Sequence, residues 1–273
     1  MKKAIVMLIT LLFTMSLFTA CSHPKKENDY PKKNQSSIDV SPSNKSESNF
    51  SKKTDKDLST TSIDSPINPW DYQKLLGKGM DVDWSKTSQG QKYYNEQAVK
   101  DFKEAGISHV RIRITQKATE ELLDGLDKQV TDCLKNGIIP IIAYQADDFK
   151  NDPSEKNIEK VVNWWTTISE RYKNYSHLLS FDLLIEATDA LNKKPEKLND
   201  LYERIVPEIR KMNPTRIIII SPRLRSDADY LKELKLPTKN NGYLMAEWHF
   251  YASGPSKTNK RKLWTTGTKK KNS

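Results

Sequence analysis

The sequence predicts an α/β fold, a (β/α)8 barrel of which about six strand–helix units are legible. Apolar strands alternate with amphipathic helices from Lys78 to Phe250, the pattern of a parallel sheet with helices outside. The run Leu178-Leu179-Ser180-Phe181-Asp182-Leu183-Leu184-Ile185 reads as a buried strand that delivers Glu186 at its C-terminal tip. Trp248-His249-Phe250-Tyr251 ends another strand and sets His249 and Tyr251 on one face, since side chains alternate with period two. Functional residues at strand C-termini are the habit of barrels.

In chain order, Lys78–Val82 is the first strand, and Glu96–Ala105 is a helix that Gly106 ends. His109–Ile114 is strand two, with Arg111 and Arg113 on one face and Val110, Ile112 and Ile114 on the other. The helix Thr119–Lys135 closes at Gly137, and Ile138–Tyr144 is strand three. The amphipathic helix Glu155–Lys173 follows. Leu178–Ile185 is strand four, the helix Pro195–Met212 comes after it, and Arg216–Ser221 is strand five. A short helix around Asp227–Lys235 leads to strand six, Tyr243–Phe250. A doubly wound sheet shares this alternation, and the strand-tip residues favour the barrel. A closed barrel takes eight strands and typically about 250 residues, whereas Ile67–Ser273 supplies 207. The reading is therefore an incomplete barrel in a truncated chain.

The flanks are different in kind. Met1-Lys2-Lys3 and the apolar run Ala4–Phe18 fit a secretory signal over residues 1–20 and are short for a membrane span. Leu17-Phe18-Thr19-Ala20-Cys21 looks like a bacterial lipobox, which implies cleavage before Cys21 and lipidation of its thiol. Residues 21–66 are rich in Ser, Lys, Asn and Asp and poor in large apolar residues, a composition that reads as a disordered tether. Flexible coil of that length has a root-mean-square reach of roughly 35–40 Å. The folded part spans 67–256, and a basic tail spans 257–273. Localisation follows: a monomer, lipid-anchored on the outer face of the cell membrane.

The formal charge is +10, but Lys257–Ser273 alone carries six Lys and one Arg with no acid. Lys2 and Lys3 leave with the signal, the tether nets +1, and Ile67–Ser256 comes out near neutral. A nucleic-acid partner is not expected, since that needs Lys and Arg clustered on a folded face. Cys133 is the other cysteine and reads as a buried small hydrophobe. No metal-ligand cluster, phosphate loop or dinucleotide glycine motif is present, so no metal or cofactor is expected.

The strand tips resemble those of cellulase-like glycoside hydrolase family 5. The resemblance rests on Val110-Arg111-Ile112, on Phe181-Asp182-Leu183-Leu184 before Glu186, and on the His249-x-Tyr251 pair. It implies a retaining glycosidase acting on β-linked polysaccharide through two carboxylates roughly 5–5.5 Å apart. Glu186 is then the acid/base, Arg111 supports the nucleophile, His249 lines the cleft, and the Tyr251 hydroxyl bonds the nucleophile. The nucleophile Glu belongs on a seventh strand, absent here, so little activity is expected of this chain. The family's Asn before the acid, which bonds the sugar 2-hydroxyl, is Ile185 here; its usual strand-three His residues give way to Tyr144 and Gln145.

Trp84, after Asp81 and Asp83, is a candidate for stacking on a sugar ring or for capping the barrel, and Tyr144 is a further substrate-binding candidate. Arg111 also admits a purely structural ion pair with Asp182. Glu247 is read as sharing no face with His249 and Tyr251, hence as a poor substitute nucleophile, and Trp248 as core packing. Two other functions remain open: a non-catalytic carbohydrate-binding lipoprotein and a solute-binding lipoprotein.

The anchor is directly testable. Cys21→Ser should release the protein from the membrane fraction or block its maturation; unchanged processing and partition would exclude lipid on Cys21.

Overall fold

The structure is a computed structural model that describes residues 65–250. The signal, Cys21, the tether, Tyr251 and the basic tail lie outside the described residues.

Six strands form one parallel sheet in sequential order: β1 (Gly79–Val82), β2 (His109–Ile114), β3 (Ile139–Tyr144), β4 (Ser180–Asp182), β5 (Ile218–Ile220) and β6 (Leu244–Ala246). Each neighbouring pair is parallel and consecutive in the chain. A doubly wound sheet reverses its strand order at a switch point; this one does not, which leaves the barrel topology. The ladders of β4, β5 and β6 are shorter than the apolar runs that contain them. Leu183–Ile185 continues beyond the ladder yet stays buried, and Ile185 N still donates to Tyr144 O at 3.0 Å.

The helices are α1 (Pro69–Leu76), α2 (Ser88–Tyr93), α3 (Gln97–Glu104), α4 (Glu120–Lys135), α5 (Asp147–Asn151), α6 (Glu155–Arg171) and α7 (Pro195–Met212). The expected helix near Asp227–Lys235 is a short 3-10 segment, Ala228–Glu233. Helix α4 begins where the Thr119 hydroxyl accepts from Leu122 N. It ends where Gly137, at φ 69, donates to Leu134 O and Ile138 donates to Cys133 O, the six-to-one closure that requires a left-handed residue. Helices α1, α2 and α5 have five to eight residues, too short for a periodic signal to identify.

The central strands of the sheet bury both faces. Outward residues Val110, Ile112, Ile114, Ile142, Phe181, Ile218 and Ile220 pack under the helices with Trp165 and Ile168 of α6 and Tyr202 and Ile205 of α7. Trp165 satisfies its indole N–H on Leu183 O at 3.0 Å. Inward residues Ile139, Ile141, Ile217 and Ile219 gather around Tyr72 of α1. The Tyr72 hydroxyl lies 2.9 Å from both Leu178 O and Ser180 Oγ, so α1 plugs the N-terminal end of the strands. Cys133 is fully buried, and burial pushes its thiol far above the ordinary range, leaving it an inert apolar group.

Between α6 and β4 the chain turns around Arg216, only 2% exposed. Its guanidinium donates to the carbonyls of Ser176, Leu179, Tyr172 and Tyr175 and faces the Phe181 ring. A buried cation is tolerated here because backbone oxygens surround it. Arg216→Leu would strand those carbonyls and should cost at least about 3 kcal/mol, measured by urea unfolding. A loss below about 1 kcal/mol would mean that the guanidinium is dispensable to that turn.

Candidate functional site

Position on the pleat decides which side chains enter the barrel. Register aligns Asp81 with Arg111 and Ile141, and Arg113 with Ala143 and Asp182. These inward positions carry the charges, while the outward ones are apolar. The strand-two reading holds: Val110, Ile112 and Ile114 are fully buried, and Arg111 and Arg113 face inward.

Arg111 is the centre of the site. Its Nε and Nη2 grip Asp81 at 2.8 and 3.0 Å, a bidentate pair. Its Nη1 reaches Asp182 Oδ2 at 3.2 Å and the two Glu247 oxygens at 3.0 and 3.2 Å. The ion pair with Asp182 expected from sequence is present, together with two further carboxylates. Burial opposes the charge on Arg111, but these acids outweigh it and raise its pKa further. Asp182 is fully buried, with Oδ1 lacking a hydrogen-bond partner. Burial and the nearby Glu247 raise its pKa above the ordinary carboxylate range, and Arg111 offsets only part of that.

His249 joins this cluster to Glu186. Its Nδ1 lies 2.8 Å from Glu186 Oε1, and its Nε2 lies 3.5 Å from Glu247 Oε1 and 3.3 Å from Arg111 Nη1. Burial disfavours the imidazolium, but the Glu186 and Glu247 carboxylates prevail, and the pKa rises from 6.5 to about 9. Glu186 feels the same pair from the other side. Burial would raise its pKa, yet His249 and the Arg225 guanidinium, 3.1 Å from Oε2, hold it below 4.5.

Glu247 requires a correction. It was expected to share no face with His249; residues two apart on a strand share one, and both side chains converge on Arg111. Trp248, expected in the core, is 55% exposed at the edge of the sheet. Neither aromatic substrate-binding candidate offers a free ring to the cleft. Tyr144 points outward and stacks on Trp164 at 4.0 Å, nearly parallel. Trp84 packs edge-on to Tyr94 and face to face with Phe102, the capping alternative. Ile185 is buried and has no side-chain donor for a sugar. Asp83 is held by Arg113 at 2.7 and 2.8 Å.

Arg225 and Lys150 escaped sequence reading. Lys150 of α5 is buried, donates to Gln145 Oε1 at 2.9 Å and interacts electrostatically with Glu186. Burial lowers its pKa. Arg225 meets Glu186 across 39 residues, which no local pattern announces. A cavity of about 550 Å³ opens beside the cluster, lined among others by Asp81, Arg111, Met245, Glu247, Trp248 and His249. Among the described residues, no group of His, Cys, Asp and Glu could hold a metal ion.

The pH dependence follows from His249. Its folded pKa lies above its unfolded value, so the stabilisation is complete below about 6.5 and disappears as pH rises through about 9. His249 should contribute a loss of about 2–3 kcal/mol between those limits, and His249→Gln should reduce the slope while leaving the part that Asp182, raised to about 8, contributes in the same direction. An unchanged slope in equilibrium unfolding would assign the titration elsewhere.

Comparisons with known proteins agree with the barrel topology. The sequence model described as Cellulase (glycosyl hydrolase family 5) matches residues 73–273. Endoglucanase H of Acetivibrio thermocellus is 30% identical over 205 residues, covering 68% of this chain and 22% of that protein. Endoglucanase C of the same organism is 26% identical over 180 residues, covering 58% and 50%. Among solved structures, Thermotoga maritima Cel5A in complex with cellobiose superposes with a TM-score of 0.62 at 27% identity, covering 67% of this chain and 63% of that one. The same enzyme with mannotriose gives 0.61 at 26%. The chain thus spans less than two thirds of the length of these relatives.

Proposed function

The chain belongs to glycosyl hydrolase family 5, and from that premise we propose that it acts on β-linked glucan as a surface lipoprotein, with Glu186 as acid/base. The observation that carries this reading is the convergence of Arg111 from β2, Glu186 from the segment after β4 and His249 from the segment after β6 at one C-terminal rim. Glycoside hydrolysis needs a carboxylic acid that protonates the leaving oxygen and a second carboxylate opposite it. Glu186 occupies the first position. Arg111 supports the second by neutralising whichever carboxylate approaches the reacting carbon. The family draws that nucleophile from a seventh strand; residues 251–273 hold no Asp or Glu, and among the described residues Glu247 fills Arg111's reach. Tyr251, outside the described residues, is the proposed hydroxyl partner of the nucleophile. The Thermotoga relative is solved in complex with cellobiose and with mannotriose, which makes β-glucan and mannan the first polymers to try. A lipid on Cys21 would place the domain on the outer face of the cell membrane.

A second reading, carbohydrate binding without turnover, is favoured by two observations: Ile185 offers no donor, and Glu186 rests ionised between two cations. The two readings separate in one assay on β-glucan and mannan. Under the catalytic reading, Glu186→Gln lowers kcat by about 10²–10⁴ while polymer retention persists. Retention without turnover in the unaltered chain selects the binding module, and neither retention nor turnover overturns both.

A further inference from the structure

The backbone after β5 holds the least ordinary conformation in the described chain. Leu224, Arg225 and Ser226 are each at φ 59, with ψ 53 and 43 for the first two. In this left-handed region Cβ crowds the following carbonyl, and single residues rather than runs visit it. Three in succession without glycine persist only where surrounding contacts over-determine them, and such strain clusters at functional sites.

The contacts here are specific. Leu224 N donates to Asn192 Oδ1 at 2.8 Å, and Arg225 N to Ala187 O at 2.9 Å, both on the loop that follows Glu186. His249 N donates to Ser226 O at 2.8 Å. Arg223 pins the start of the turn through Glu233, at 2.6 and 3.0 Å, and lies over the Tyr230 ring. The turn therefore ties the Glu186 loop to the backbone of His249. The Ser226 hydroxyl is buried without a hydrogen-bond partner, so its side chain does not explain the conformation. What the turn delivers is Arg225, whose guanidinium meets Glu186 Oε2 while Oε1 turns to His249.

We propose that Arg225 is a positioning residue for Glu186: the left-handed turn carries its guanidinium to the carboxylate, fixing which oxygen faces His249 and the ionised state in which Glu186 rests. The proposal rests on the reading of Glu186 as acid/base. Among the described residues, charged groups acting on Glu186 include His249 after β6, Arg225 in the turn and Lys150 in α5. Asp182 and Glu247 lie beyond His249. All three cations favour the carboxylate and oppose the protonated acid that leaving-group departure needs. His249 and Lys150 are held inside, whereas the Arg225 side chain is 45% exposed. Arg225 is thus the partner that a bound sugar can displace, releasing Glu186 to take a proton.

The test is a carboxyl ¹³C NMR titration of the full chain, with Glu186 assigned through Glu186→Gln. Arg225→Gln should raise the Glu186 midpoint by about one unit, and Arg225→Lys should restore most of the shift. In the unaltered chain, the Arg225 guanidinium resonance should move with the Glu186 midpoint, which keeps the test open if the Gln variant does not fold. With turnover measurable, the basic limb of kcat/KM should move up in Arg225→Gln. An unchanged Glu186 midpoint, an Arg225 signal indifferent to Glu186, or lower turnover with an unmoved limb would overturn the proposal. Shifted midpoints in a chain without turnover would instead sink the glycosidase reading and leave the positioning role standing.

Discussion

The charge on Arg111 is the constraint around which the barrel interior is arranged. One guanidinium, 12% exposed, serves Asp81 from β1, Asp182 from β4 and Glu247 from beyond β6. Three carboxylates in one low-dielectric space repel one another, and each alone would pay heavily for desolvation. Arg suits this position better than Lys, because its planar fork satisfies Asp81 with two nitrogens and still presents the third to the other acids. Strands distant in sequence are therefore tied at their C-terminal ends by charge and along their length by backbone pairing. The raised pKa of Asp182 is what remains uncompensated.

From that centre the polar chain runs outward. Arg111 meets His249, His249 meets Glu186, and Glu186 meets Arg225 at the rim. Along it, solvent exposure rises, so the outermost contact is the most easily exchanged for a ligand. The alternation also explains why His249 and Glu186 titrate in opposite directions: one interaction stabilises the imidazolium and the carboxylate together. An acid/base residue in this setting has its ionised form favoured at rest, and its acid form depends on what enters the cleft.

The rest of the fold makes this arrangement rigid where it needs to be. Tyr72 plugs the opposite end of the strands, and Arg216 locks the turn into β4. Trp164, Trp165, Tyr202 and Ile205 hold the helical layer against the outward face. Left-handed backbone recurs in the turn after β5 and at Glu186 itself, φ 51, as it does at Ala146, Asp189 and Asn241; at the first two places it brings side chains together rather than filling space.

Sequence alone determined the strand–helix order, because a two-residue period with buried apolar faces and the glycines at 106 and 137 are local signals. It also determined that Arg111 faces inward from β2 and that Glu186 and His249 follow strand ends, since period and strand ends fix direction. Direction along the strand also held the information about Glu247, whose face a count of two from His249 gives. The strand order that distinguishes barrel from doubly wound sheet was settled only by pairing in space. Equally tertiary were the withdrawal of Trp84 and Tyr144 into aromatic stacks and the meeting of Arg225 with Glu186. Those contacts join residues 10 to 39 positions apart. Whether a ring faces a cleft or a helix, and which carboxylate a guanidinium reaches, depends on packing between elements, and no local period encodes that.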